Sequence, residues 1–237
     1  RLEKETHNVG YPILPLVHQV AEGLGEAGKY LHWGATTQDI MDTALVLQIR
    51  QGLNLLETDL RAVSVQLRRL SKEYRDTPMA GRTHLQHALP TTFGLKCAIW
   101  LGMVERNLAR LQELRPRVLV GQFAGAGGTL ASLGSRGLDV QAAMMQELQL
   151  GVPMTTWHTA RDGLAETAQW LGLVTMSLGK MAFDVSLMMA NEFSEVFEPF
   201  VQGRGASSTM PQKRNPISCE VMIGAAKTVR HLAGLAL

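Results

Sequence analysis

The chain has 237 residues, 46% hydrophobic and 19% charged, a balance that supports a buried core and excludes a disordered polar chain. Its 23 basic and 21 acidic side chains leave a formal charge of +2, too small an excess to mark a binder of nucleic acid or anionic lipid. Two cysteines, Cys97 and Cys219, exclude a disulfide framework and have no metal-ligand spacing, so neither metal nor cofactor is expected and a reducing compartment is.

Residues 1–20 turn from charged to apolar around Glu5-Thr6-His7-Asn8, and Pro12 and Pro15 keep any helix there short or place them in its first turn. Gly23, Gly25 and Gly28 predict a flexible connection over 21–30. A first polar knot follows, His32-Trp33-Gly34-Ala35-Thr36-Thr37-Gln38-Asp39. Thr37 or Asp39 then caps a helix predicted from Asp39 to Tyr74, about 54 Å long, in which Ile40, Ala44, Leu47, Leu55, Val63, Leu67 and Leu70 recur near helical spacing. A helix of this length without an internal proline needs partners along it, as in a bundle.

After Asp76-Thr77-Pro78 comes a second knot, Gly81-Arg82-Thr83-His84-Leu85-Gln86-His87, and Thr91 or Thr92 begins a helix from Phe93 to about Leu114 that Arg115-Pro116 closes. The stretch Gly121 to Thr129 has glycines but neither a Walker ending nor GxGxxG. It predicts close backbone approach or a bend near a ligand, with no phosphate loop. A short helix, Val140 to Leu148, leads to Trp157-His158-Thr159-Ala160-Arg161-Asp162, and a second long helix is predicted from there to Glu198, about 57 Å, for want of proline. Methionines over 175–189 fit packing between helices. Strand signals are weak throughout, so the expected fold class is all-α, a bundle of long helices.

The third knot runs Gly205-Ala206-Ser207-Ser208-Thr209-Met210-Pro211-Gln212-Lys213-Arg214-Asn215-Pro216. Small residues and two prolines suit a loop that opens and closes, and Asn215 with Pro216 predicts the cap and first residue of a helix from Ile217 to Leu237. Lys213 and Arg214 then lie beside a positive helix end, an arrangement for an anion. Three polar knots at helix ends, brought to one cleft, make a site for a small polyanion.

No charged and apolar leader opens the chain and no run reaches about 18 apolar residues, so a cytoplasmic protein without a membrane span is expected. The start at Arg1 and the stop inside an apolar helical run at Leu237 suggest part of a longer protein.

Ser207 to Pro216 resembles the signature loop of the fumarase/aspartase superfamily, and the first and second knots resemble its other two signature regions in the right order. The resemblance runs from about Glu3 to Leu237 and implies a central long-helix domain, here 37–237, preceded by a remnant of an amino-terminal domain, 1–36. It also implies a homotetramer with each site built from three subunits. The implied reaction on a polycarboxylate removes a proton next to a carboxylate, giving an aci-carboxylate, then expels the group on the neighbouring carbon. On this likeness Ser207 abstracts the proton, Lys213 stabilises the dianion, His84 is the general acid oriented by Glu220, and His7 matches a second histidine. Substrate contacts fall on His32, Thr36, Thr37, Gln38, Thr83, Gln86, Ser208, Met210, Arg214 and Asn215, with Arg161 as a carboxylate clamp. Trp157 to Asp162 and Val196 to Pro199 look most like the 3-carboxy-cis,cis-muconate cycloisomerase branch, while His84 is the residue expected of adenylosuccinate lyase and its relatives. A silent helical scaffold is the reading from another class, and retention of Ser207, Lys213, Asn215, His84 and Glu220 together opposes it.

Overall fold

The computed structural model describes residues 1–199 and 201–237. In chain order the elements are α1 (Leu2–Val9), α2 (Ile13–Leu24), α3 (Thr37–Glu73), β1 (Pro78–Thr83), β2 (Gln86–Thr92), α4 (Phe93–Val118), α5 (Gly137–Leu148), α6 (Asp162–Met188) and α7 (Ile217–Leu235), with 3-10 turns at Gly25–Tyr30 and Ala131–Arg136. Packing groups the chain into two compact units, 1–55 with 115–163, and 56–114 with 164–237. This division runs through the long helices.

Helix predominates, as the long apolar repeats require, and the described residues add one antiparallel hairpin, β1 with β2, that the weak strand signals did not predict. Pro12 precedes α2 and Pro15 lies in its first turn, where the missing N–H is harmless. The connection expected over 21–30 is instead the end of α2 and a 3-10 turn.

Thirty-seven residues make α3, about 55 Å of helix. Its buried positions are Asp39, Asp42, Thr43, Val46, Leu53, Leu60, Ser64 and Leu67, which apart from the adjacent Thr43 are spaced by threes, fours and sevens as one helical face demands. Helix α4 passes through Arg115-Pro116 to Val118, contrary to the expected stop. A proline in the last turn forfeits one N–H bond, while Leu111, Leu114 and Val118, each at most 4% exposed, hold that face down.

Helix α6 ends ten residues before the expected Glu198. Ser194 takes a left-handed backbone with φ 49°, and Glu195 N–H returns to the Met188 carbonyl at 2.9 Å. The chain is drawn off the helical path by Arg82, whose guanidinium makes two bonds to Glu195, at 2.8 and 2.9 Å, and stacks 4.4 Å from the Phe193 ring. By length and composition α6 is apolar enough to cross a membrane, although Glu166, Gln169, Lys180 and Asp184 interrupt its apolar run. It is tied to α4 by three polar bonds, Trp170 Nε1 donating to Asn107 O at 3.1 Å, Asn107 Nδ2 to Ser177 Oγ at 3.0 Å and Trp100 Nε1 to Asp184 Oδ2 at 2.8 Å, and to α7 by Gln169 Nε2 donating to Ala233 O at 2.6 Å.

In the first unit, Val46 of α3 packs with Phe123, Leu130, Met145 and Leu150. Arg50 closes the end of α5 by donating to the carbonyls of Leu148 and Gln149 at 2.7 and 3.0 Å. In the second, the glycines of α6 set its approach to α7. A Cβ on Gly179 would stand 2.6 Å from Ala226 Cβ, and one on Gly172 3.2 Å from Ala233 Cβ. Gly179→Ala is therefore expected to destabilise the fold by about 1–3 kcal/mol through overpacking. Gly224→Ala, which meets nothing within 4 Å, is expected to be neutral or to gain slightly from helix propensity. Denaturant unfolding of the two variants side by side checks both.

Candidate functional site

Asp39 organises the first knot. It lies at the third position of α3 and is fully buried. Its Oδ2 accepts the N–H of Thr36 at 2.9 Å, half of a capping box, so the cap position is Thr36 and Asp39 acts from within the helix, not as the cap. The same carboxylate accepts N–H bonds from Ala124 at 3.1 Å and Gly125 at 2.9 Å, and meets His158 Nε2 at 2.6 Å. Thr43 Oγ1 and Gln141 Nε2 hold further backbone of the same glycine-rich stretch, at Gln122 and Phe123. Those backbone groups are thus held by side chains, as the rejection of a phosphate loop requires. Gly121 and Gly125 allow the close approach expected of them: a Cβ on Gly121 would strike Met145 Sδ at 2.1 Å, and Gly125 has φ 76° with its Cβ position 2.9 Å from Gly34 O.

Asp42, one turn on, receives both ends of the Arg161 fork at 2.8 and 2.9 Å, a bidentate pair that holds the Arg161 guanidinium above its ordinary pKa. The side chain predicted as a substrate clamp is engaged inside the chain. Gln38 is likewise engaged, donating to His158 O at 2.7 Å. The side-chain hydroxyls of Thr36 and Thr37, in contrast, make no hydrogen bond among the described residues. His32 has φ 65° and a shielded Nε2 with no partner, and His7 is exposed in the last turn of α1.

The second knot is the tip of the hairpin. Thr83 pairs with Gln86, leaving His84 and Leu85 as a two-residue turn, and both have positive φ, 52° and 61°. Positive φ at both central positions is the type I′ pattern, which suits the strand twist and strains any residue but glycine, asparagine or aspartate. His84 is exposed at this tip, and a cavity of about 630 Å³ lined by His84, Arg82, Trp100, Lys96 and Lys180 lies beside it. The Arg82 pair with Glu195 ties β1, one residue before the last strand pair at the tip, to the segment after α6.

The third knot is a closed loop. Ala206 bridges Arg214, and Asn215 donates to Gly205 O from its backbone N at 3.1 Å and from Nδ2 at 3.0 Å. Asn215 therefore ties the loop ends and is not the cap of α7. The cap is Glu198, whose carboxylate accepts the N–H groups of Cys219 at 2.8 Å and Ser218 at 3.2 Å. Ser207 Oγ accepts the N–H groups of Met210 at 3.1 Å and Thr209 at 3.3 Å. Ser208 is exposed and its hydroxyl makes no hydrogen bond among the described residues. Lys213 Nζ has no partner there either, whereas Arg214 donates to Glu198 O at 3.1 Å and lies 4.9 Å from the Phe197 ring.

Within the second unit the hairpin tip and the loop are not joined. The cavity at His84 has no lining residue from 204–216, and the cleft of the loop has none from 83–87. The side chains of His84 and Glu220 make no hydrogen bond or ion pair to each other or to any other described residue, so the pairing expected of them is not formed inside one chain. The cysteines are packed groups, as burial pushes each thiol up to about 11. Among the described residues no cluster of His, Cys, Asp and Glu could hold a metal.

Sequence reading missed the joining of Asp39, Asp42, His158 and Arg161, which are about 120 residues apart along the chain, and it missed Glu198 as a cap. A clue to the first was local: an acid three residues after Thr36 is half of a capping box.

The chain matches the family described as lyase over residues 8–230. It is 53% identical over 229 residues to the 3-carboxy-cis,cis-muconate cycloisomerase of Pseudomonas aeruginosa, an alignment covering 95% of this chain and 50% of that protein. It is 42% identical to the adenylosuccinate lyase of Pyrococcus abyssi, covering 96% of this chain and 50% of the other. Among solved structures it is similar to a fumarate lyase from Mesorhizobium sp. BNC1, with 58% identity and a TM-score of 0.90, covering 99% of this chain and 52% of that one. The chain thus spans about half the length of these relatives. With a match that takes in all three polar knots, the chain belongs to the fumarate lyase superfamily.

Proposed function

We propose that this chain carries the central part of an enzyme that adds or eliminates across a carbon–carbon bond next to a carboxylate, acting on a polycarboxylate in the manner of 3-carboxy-cis,cis-muconate cycloisomerase. The observation that carries this reading is the loop of the third knot. One serine oxygen receives two backbone N–H groups, and an unpartnered ammonium, Lys213, stands six residues away in the same closed loop. Donors aimed at Ser207 Oγ favour its ionised form, which is the form a base needs.

Ser207 takes the proton from the carbon next to a substrate carboxylate, and the extra charge passes into that carboxylate as an aci-carboxylate dianion. A proton of this kind is very weakly acidic, so most of the barrier is lowered by stabilising that charge. Lys213 and the free hydroxyls of Thr36 and Thr37 are suited to it. The dianion then expels an oxygen or nitrogen from the neighbouring carbon, leaving an alkene, and His84 supplies a proton where the departing group needs one. In a cycloisomerase the departing group is a carboxylate of the same molecule, and the reverse step closes a lactone.

A homotetramer in the cytoplasm, with each site assembled from three subunits, belongs to the same proposal. It is supported by the separate positions of the hairpin tip and the loop within the second unit, and by an exposed His84 and Glu220 that each lack a partner. Exposed apolar positions on the long helices, such as Leu55 and Val65 on α3 and Val221 and Leu232 on α7, supply faces for such an assembly.

His84 favours a second reading, an adenylosuccinate lyase or another fumarate-releasing C–N lyase. A histidine kept in a strained, exposed turn is suited to protonating a poor nitrogen leaving group. Ultraviolet absorbance with the full-length protein separates the readings. Change with 3-carboxymuconate alone is expected from the first, and change with adenylosuccinate or with fumarate plus an amine marks the second. No change with any of the three favours a silent scaffold.

A further inference from the structure

The amino end of α7 was expected to be an open anion site, with Lys213 and Arg214 beside it. The structure fills that end with an internal anion. Pro216, at the cap position, offers no side-chain bond, and the Ser218 and Cys219 amides of the first turn are satisfied by Glu198 across 20 residues of chain. The carbonyl of the same residue accepts Arg214 Nη2. Glu198 therefore grips the loop at both ends of its return: its carboxylate holds the start of α7, and its backbone oxygen holds Arg214. Arg204 adds a bond to Ser218 Oγ at 2.6 Å, and Asn215 holds Gly205.

We propose that Glu198 is a positioning residue, a staple across the base of the 201–217 loop that fixes where Ser207 and Lys213 are presented. The proposal rests on the reading of that loop as the seat of proton abstraction. Three observations support it. The contacts join the two stems of the loop and not neighbouring residues. A carboxylate at a helix amino end is the favourable partner for its unsatisfied N–H groups. Finally, although burial pushes the Glu198 carboxyl up, the N–H groups of Cys219 and Ser218 outweigh it and hold the group below the ordinary carboxylate range. With a depressed pKa its contribution is present above the ordinary range and is lost only as pH falls through the lowered value. At neutral pH the staple is closed, and glutamine imitates the protonated state.

A consequence follows for the substrate. With the positive end of α7 already met by Glu198, an incoming carboxylate is left to Lys213 and hydroxyl groups, and the loop has no second free anion seat at that helix. The loop then moves as one unit about its stapled base, and Ser207 keeps its spacing to Lys213 during closure.

Hydrogen exchange on the full-length protein, read by mass spectrometry, tests this without reference to any substrate. In Glu198→Ala the amides of Ser218 and Cys219 and the peptides over 201–216 are expected to exchange about tenfold faster, as losing a helix cap implies. Amides of α6 are expected to stay as slow as in the parent protein. Glu198→Gln, which retains one acceptor and turns an NH₂ toward the other amide, is expected to fall between the two. Turnover is expected to drop about tenfold in Glu198→Ala with KM within about threefold, because misplacement of the base acts on the transition state more than on binding. Unchanged exchange at Ser218 and Cys219 overturns the staple. A rise of equal size in α6 overturns it as well, since Glu198 would then support the fold at large. If the parent protein turns over no member of the substrate panel, the functional reading fails while the exchange data still decide whether the staple exists.

Discussion

Ser207→Ala is expected to end exchange of the substrate's α-hydrogen with solvent and to lower turnover by about 10²- to 10⁴-fold, the range for loss of a positioned base. Substrate affinity is expected to stay within a few-fold, because the hydroxyl is small in the ground state and its charge is needed only as the proton leaves. Two adjacent serines make the assignment a real choice from sequence, since both sit on the same turn. The structure separates them by environment. Ser207 Oγ receives the N–H groups of Thr209 and Met210 and is half-buried, whereas Ser208 is exposed. Backbone donors held by a turn cannot rotate away as the oxygen ionises, so they lower the cost of the anion at that oxygen alone. Ser208→Ala is accordingly expected to retain exchange and most of its turnover. Deuterium incorporation measured for both variants side by side is the check, and exchange persisting in Ser207→Ala with loss in Ser208→Ala would transfer the role to Ser208.

The same contrast shows how far residues alone can be read. Long helices were legible because burial at threes and fours leaves a pattern in any stretch of chain, as at Cys97, Trp100, Val104, Leu108 and Leu111 on α4. The three knots were legible as polar interruptions of that pattern and by their likeness to signature regions. The hairpin was not. A two-residue type I′ turn normally shows itself by Asn-Gly or Asp-Gly, and here His84-Leu85 adopts it without either residue, while Pro78 and Pro90 discourage a strand reading. The early end of α6 was hidden for a related reason. No proline or glycine stands near 188–194, and the helix stops because Arg82, more than 100 residues earlier, takes Phe193 and Glu195. Tertiary partners of this kind leave no local trace. Asp39 and Glu198 are related cases: one looks like an ordinary acid in a first helical turn and the other like the last residue of a long helix, and each gathers backbone from another part of the chain.

Lys213 and Arg214 stand next to each other in sequence and look interchangeable as anion binders, yet the structure gives them different work. Arg214 is occupied by the Glu198 carbonyl and the Phe197 ring, while Lys213 has no partner among the described residues. Lys213→Met removes a cation that a bound carboxylate already feels and that the dianion feels more strongly. Both affinity and turnover are therefore expected to fall, turnover by about 10²- to 10³-fold, the range for deleting one preorganised stabiliser of developing charge. Methionine keeps nearly the same length, so the loss is one of charge and not of packing. Arg214→Met is expected to act differently, loosening the loop and lowering turnover with a smaller change in affinity, since its guanidinium holds the loop stem. Initial rates over a range of substrate concentrations distinguish the two variants. A Lys213→Met protein with raised KM and undiminished kcat would mean that Lys213 binds ground state and transition state equally, and the charge stabilisation would then have to come from the threonines of the first knot.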